Sequence, residues 1–204
     1  MIRRNRPVVV IKLGGSLLDW PEWPPRLTAF LAGYPEVNPV LIVGGGRFAD
    51  VLRDLDRVHH LGEDRSHSLA LHVLDATAQV AAALLPGAAV VATIDRLDPT
   101  WAAGRIPIFA PRLFLQRDDR ESPDPLPHAW TTTTDSIAAR LAVRLGAAEL
   151  VLLKSTSLPP KVSDWSTAAA VGLVDPEFPR TAEKVPEVRL INLKNYDTAR
   201  ELRG

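Results

Sequence analysis

Hydrophobic and polar positions along this 204-residue chain change period repeatedly. Short runs of Val, Ile and Leu alternate with longer stretches in which apolar residues recur every three or four positions, the mark of strands alternating with helices. The runs predict strands at 8–13, 39–43, 89–93, 106–110, 150–153 and 188–192. Helical spacing predicts helices near 26–32, 47–58, 66–85 and 136–145, with a last one near 196–202. This order points to an α/β layered fold with a mainly parallel sheet. The helix at 136–145 declares its ends: Ile137, Leu141 and Leu145 share a face, Thr133, Thr134 and Asp135 offer capping oxygens, and Gly146 supplies the stop. The polar, proline-rich stretch 116–128 reads as a loop or lobe connection, and 155–186 as a second irregular stretch.

Composition narrows the function classes. Twenty-four basic and twenty-four acidic residues cancel, so no general pull toward nucleic acid or an anionic membrane is expected, and any anion site has to be built locally. The absence of cysteine excludes disulfides, thiolate metal sites and cysteine nucleophiles. The opening MIRRNRPVVVIKLGGSLL has the basic head and apolar run of a secretory signal. However, Lys12 interrupts the run and no small-residue cleavage site follows, so it reads as mature, cytoplasmic sequence. No apolar run is long enough to span a bilayer.

Lys12 raises the first chemical question, because a buried ammonium without an anion is costly. It closes a β-branched run and leads into Gly14, Gly15 and Ser16. Glycines let backbone N–H groups approach an anion, so Lys12 would point its charge at a phosphate; otherwise it is a strand-end lysine before an ordinary turn. A second strand ends in Gly44, Gly45, Gly46 and Arg47, and matches neither the P-loop nor the dinucleotide fingerprint. Two glycine turns after parallel strands place two anion sockets at the carboxyl edge of the sheet, where open α/β sheets bind ligands. Asp135 at a helix start is either a cap or a carboxylate that holds cationic side chains around a transferring phosphoryl group. Lys154 and Ser155 end another strand, and Arg180 and Lys184 follow the phrase GLVDPEFPR. Arg47 and His67 are candidates for gripping an acceptor. His59, His60, His67 and His72 lack a convincing zinc spacing, so no metal site is expected among them.

Taken in order, KLGGS at Lys12, VGGG at Val43, TTDSIAA at Thr133 and LLKS at Leu152 resemble the amino acid kinase family, which includes acetylglutamate, aspartate, uridylate and isopentenyl phosphate kinases. The resemblance spans almost the whole chain. It implies one three-layer α/β/α sandwich over 1–204, with an acceptor-binding half at 1–111 and a nucleotide-binding half at 112–204. It also implies ATP and Mg2+. In this reading Lys12, Gly14 and Gly15 meet the β- and γ-phosphates with Ser16 beside them, and Gly44, Gly45 and Gly46 surround the acceptor end with Thr133. Asp135 organises the catalytic lysines, and the loop after Lys154, with Ser155 and Lys184, holds the nucleotide. A second catalytic lysine of the nucleotide half is not evident, and Arg180 is assigned its place. The phrases GGGRFAD, PHAWTTTTDSIAARLA and GLVDPEFP are most similar to a group of small kinases that phosphorylate an aminomethylfuran-methyl phosphate in methanofuran biosynthesis. A small phosphate-bearing acceptor is therefore expected. A carboxylate or nucleoside monophosphate acceptor, or a non-catalytic nucleotide-binding protein of the same fold, stays open. Family members are commonly dimers or hexamers, which implies a homo-oligomer. The 66–85 helix would serve as an interface or as a core helix.

Overall fold

Strand β1 (Val8–Leu13) is buried along nearly its whole length because it lies near the middle of the sheet. The computed structural model describes residues 6–196, and the expected helix at 196–202 falls almost entirely outside them. The other strands are β2 (Asn38–Val43), β3 (Ala88–Val91), β4 (Ile106–Phe109), β5 (Glu149–Lys154) and β6 (Val188–Asn192). They form one sheet of order β3-β4-β2-β1-β5-β6, and every pairing is parallel. Such a sheet needs both faces covered, and two apolar cores do this. One packs the face bearing Val10, Ile42, Leu150 and Leu152 against α5 (Arg112–Glu121), α6 (Thr134–Leu145), α7 (Trp165–Ala170) and α8 (Phe178–Ala182). The other packs Val9, Ile11, Leu13, Val151 and Leu153 against α1 (Trp23–Ala32) and the carboxyl half of α3 (Glu63–Leu84). The layers are those of an α/β/α sandwich.

Helix α2 (Gly46–His59) opens directly from the triple glycine, and α4 (Leu97–Ala102) fills the turn between β3 and β4. Two expectations are corrected. The stretch 116–128 is helical as far as Glu121, because Phe114 and Leu115 anchor α5 in the core while the carboxylate of Asp118 pairs with Arg140 and Arg144 of α6. The stretch 155–186 contains α7, capped by Asp164 accepting from the Thr167 N–H at 2.7 Å, and α8. Helix α6 begins two residues earlier than expected and ends where expected: Thr133 is its N-cap, and Gly146 closes it in the left-handed region at φ 57°.

Sheet order decides where chemistry can gather. From β1 the chain first runs to one side, through β2, and later to the other, through β5 and β6. The order therefore changes direction at β1 and β5, where ligands of open α/β sheets bind at the carboxyl edge. Among the described residues no helix is long and apolar enough to cross a membrane.

Candidate active site

Strand parity aims the two lysines. Side chains alternate along a strand, so Lys12 shares its face with Val10, and Lys154 shares its face with Leu150 and Leu152. The β1–β5 register sets Lys12 opposite Leu152, so both ammoniums leave neighbouring strand ends on the same side of the sheet. Helix α6 lies on that side, and its first turn carries Asp135. The Lys12 Nζ reaches Asp135 Oδ1 at 2.7 Å. Lys154 Nζ donates to Oδ1 at 2.9 Å and to Oδ2 at 2.7 Å. Lys12 is 5% exposed and Asp135 4%, so two cations share one buried carboxylate.

This cluster carries an excess of positive charge in a place that water reaches poorly, and a second anion would balance it. Burial pushes the Asp135 carboxyl up, but the two ammoniums outweigh it and hold the group below the ordinary carboxylate range. Burial, then repulsion from Lys12, lowers Lys154 to about 8, against the opposing pull of Asp135. The α6 dipole adds its positive end at the same point.

The first turn of α6 is fixed by a residue from a distant segment. The buried carboxylate of Asp175 accepts from the N–H groups of Thr133 and Ser136, both at 3.0 Å, from the Thr133 hydroxyl at 2.7 Å, and from the Ser136 hydroxyl. Burial raises its pKa while those hydrogen bonds pull the other way. Asp175 belongs to the GLVDPEFPR phrase, and it is this aspartate, not Arg180, that the structure puts beside the cluster.

The two glycine turns pack against each other, backbone on backbone. A Cβ on Gly15 would lie 2.3 Å from the Gly46 N, and Gly46 itself sits at φ 53°. The N–H of Gly14 is donated to the Leu153 carbonyl at 2.8 Å and that of Gly44 to Leu13 at 2.9 Å. Those two amides extend the sheet ladders and are not free for a ligand, so Gly14 is a structural glycine. An anion would have to be met by the amides that follow in each turn. Gly15→Ala is expected to lower stability by about 1–3 kcal/mol, because backbone on both sides cannot give way; urea denaturation of the variant measures it.

A cavity of about 340 Å³ opens beside the turns, lined by Lys12, Gly15, Ser16, the triple glycine, Thr133 and His67. Arg47 and Arg53 of α2 also line it, and Ala70, Leu71, Leu74 and Ile137 give it an apolar side. Arg47 is 80% exposed in its side chain and pairs with Asp19 at 2.9 Å. His67 is buried and stacks on His128, with ring centroids 4.8 Å apart. Burial, then His128, lowers its pKa. Lys154 and Ser155 are not among the lining groups; the Ser155 hydroxyl lies 2.9 Å from that of Ser16 across the β1–β5 edge.

The structure does not bring Arg180 or Lys184 to this cluster. Arg180 pairs with Asp124 and Glu177, and Lys184 pairs with Asp124 at 3.2 Å, both well exposed. The second cation beside Asp135 is Lys154, so Arg180 does not take that place.

The model of the amino acid kinase family matches residues 7–157. The chain belongs to the amino acid kinase family. Within it, the chain is 30% identical over 147 residues to an aminomethylfuran-methyl phosphate kinase of Methanocaldococcus jannaschii, a match covering 70% of this chain and 63% of that relative's length. Two solved structures share the fold. A uridylate kinase of Archaeoglobus fulgidus superposes with TM-score 0.61 at 16% identity, covering 92% of each chain. A UMP kinase of Bacillus anthracis superposes with TM-score 0.65 at 13% identity, covering 97% of this chain and 92% of that one. The family's sheet therefore frames the Lys12–Asp135–Lys154 cluster.

Proposed function

We propose that this protein is an ATP-dependent kinase that moves the γ-phosphoryl group to a small acceptor bearing a phosphate, such as aminomethylfuran-methyl phosphate, and makes a diphosphate. The observation that carries this reading is the Lys12–Asp135–Lys154 cluster, whose surplus positive charge lies at the carboxyl edge beside the glycine turns. The likeness to the Methanocaldococcus jannaschii kinase supports the choice of acceptor.

Phosphoryl transfer asks little covalent help of the protein. It needs the donor and acceptor oxygens in line and the charge on the moving group neutralised. Lys12 lines the cavity, so in this reading it meets the oxygens of the transferring group. Lys154, with Ser16 and Ser155, occupies the β5 side and would meet the nucleotide phosphates. Asp135 fixes both ammoniums and so pre-sets the electrostatic field, which costs no rearrangement during the reaction. Asp175 and Thr133 hold Asp135 in place through the helix turn. Asp19 and Asp50 at the cavity wall already pair with arginines, so a magnesium ion would be held chiefly by the triphosphate itself. An acceptor that is already an anion needs no general base.

The test is ATP consumption against a panel of small phosphate monoesters, with phosphorus NMR of the product. ADP and a new diphosphate are expected; turnover only with carboxylates or with no acceptor contradicts the reading.

A pH dependence follows from Lys154. Its folded-state pKa of about 8 lies below the ordinary lysine value of 10.5, so across that window the unfolded chain binds more protons and stability rises with pH. Catalysis runs the other way, because a neutral amine cannot balance phosphate. The kcat/KM for ATP is expected to fall above about pH 8, and ATP binding at that pH to take up a proton. Calorimetry in buffers of different ionisation enthalpy checks the proton uptake.

A further inference from the structure

An acceptor phosphate facing a γ-phosphate needs a cation besides Lys12, whose charge is shared with Asp135. This inference rests on the reading that the acceptor carries a phosphate. Three other basic side chains line the cavity: Arg47, Arg53 and His67. Arg47 swings outward to Asp19. His67 is buried, and its lowered pKa leaves it less charged at neutral pH than a surface histidine. Arg53 is different. Its guanidinium lies over the ring of Trp130, 4.9 Å from the centroid, and its Nη1 donates to Asp50 at 3.1 Å.

Trp130 is itself fixed. Its indole N–H donates to Asp56 Oδ2 at 2.8 Å, and Asp56 lies about one turn beyond Arg53 on the same helix. The ring also lines the cavity, carried by the segment between α5 and α6. That segment is pinned by the His128 ring to Asp119 at 2.8 Å and by the Thr132 hydroxyl to the Pro127 carbonyl at 2.7 Å. A stacked guanidinium is restricted to one plane, and a planar fork with donors to spare suits the oxygens of a phosphate. Neither residue stands out in the sequence. Arg53 sits among alternating charges on an exposed helix, and Trp130 in a proline-rich segment 77 positions later, so only the fold brings them together.

We propose that Arg53, stacked on Trp130, binds the phosphate carried by the acceptor, and that Trp130 is the positioning residue for that guanidinium. The stack then selects acceptors that present an anion to the γ-phosphate, and the apolar wall of Leu71, Leu74 and Ile137 accommodates the body of the molecule.

The experiment is calorimetric titration of the protein with benzyl phosphate in the absence of nucleotide, followed by acceptor and ATP kinetics. Arg53→Ala is expected to weaken benzyl phosphate binding at least tenfold. Trp130→Ala should weaken it several-fold although it removes no charge, and Trp130→Phe should restore most of the affinity by returning a ring. The double variant should bind no more weakly than Arg53→Ala, because Trp130 acts through Arg53. In turnover, both single alanine variants should raise the acceptor KM while the KM for ATP stays within twofold. Wild-type protein that does not bind benzyl phosphate, Arg53→Ala within twofold of wild type, or losses in the two variants that multiply would each overturn the assignment. The titration involves no turnover, so lack of phosphorylated product counts against the kinase reading alone, and unchanged binding in Arg53→Ala counts against Arg53 alone.

Discussion

Lys12→Ala is expected to lower turnover by roughly 10²–10³-fold, the loss found when one preorganised charge that faces a developing anion is removed. Folding should survive. Asp135 keeps Lys154, which donates to both of its oxygens, so the carboxylate is not left alone. Lys154 also loses the repulsion of its neighbour, which restores part of its affinity for a proton. The variant should therefore melt near the wild-type temperature, bind ATP measurably and turn it over slowly. Steady-state kinetics beside a thermal melt checks the pair of outcomes. Near-normal turnover in a folded variant would show that Lys12 is a strand-end lysine with no part in the reaction.

Asp135→Asn should do more damage, because it acts on stability and chemistry together. The substitution leaves two buried ammoniums a short distance apart with no anion between them. Removing one partner of a buried ion pair costs about 3–5 kcal/mol, and here one removal strands two charges. The sign of the pH dependence separates this cause from simple misfolding. Lys154, whose pKa burial already lowers, loses the opposing pull of its anion, so the penalty is complete at low pH and is relieved as pH rises above its folded value toward the unfolded one. Asp135→Asn should thus recover stability from neutral pH toward pH 9–10 more than the wild-type protein does. Urea denaturation at several pH values measures it. A loss that does not change with pH would place its origin in packing at the start of α6.

How far the sequence revealed this arrangement depends on which interactions are local. The strands carry mainly apolar runs, and β1 and β6 begin and end where expected. Helix α6 announces both its caps through Thr133 and Gly146. By contrast, α5 docks on α6 partly through an ionic seam, with Asp118 between Arg140 and Arg144, so its face lacks the apolar period that marks a helix. Helices α7 and α8 are only six and five residues long, too short to show a helical period, and are held by a cap and by Phe178 in the core.

The site shows the same division. Lys12, Asp135 and the glycine turns lie in local phrases with their own logic. Lys154 was visible as a strand-end lysine, but the partnership with Lys12 depends on β5 lying beside β1 in a register that puts both on the α6 side. The strand ELVLLK is apolar on both faces, so nothing in it tells which way its lysine points. Arg180 was the natural substitute for an unseen second cation because it follows a glycine- and proline-marked phrase. Its charge is taken by Asp124 and Glu177. Asp175, in the same phrase, does the work of holding α6, through bonds that cross about forty residues of chain.

The central claim is that the surplus charge of the Lys12–Asp135–Lys154 cluster is a seat for phosphate. A crystal structure with a non-hydrolysable ATP analogue and magnesium tests it most directly. The account predicts the γ-phosphate within hydrogen-bonding distance of the Lys12 ammonium and the nucleotide phosphates reaching Lys154. A triphosphate bound elsewhere, with both ammoniums still engaged by Asp135 alone, would contradict it.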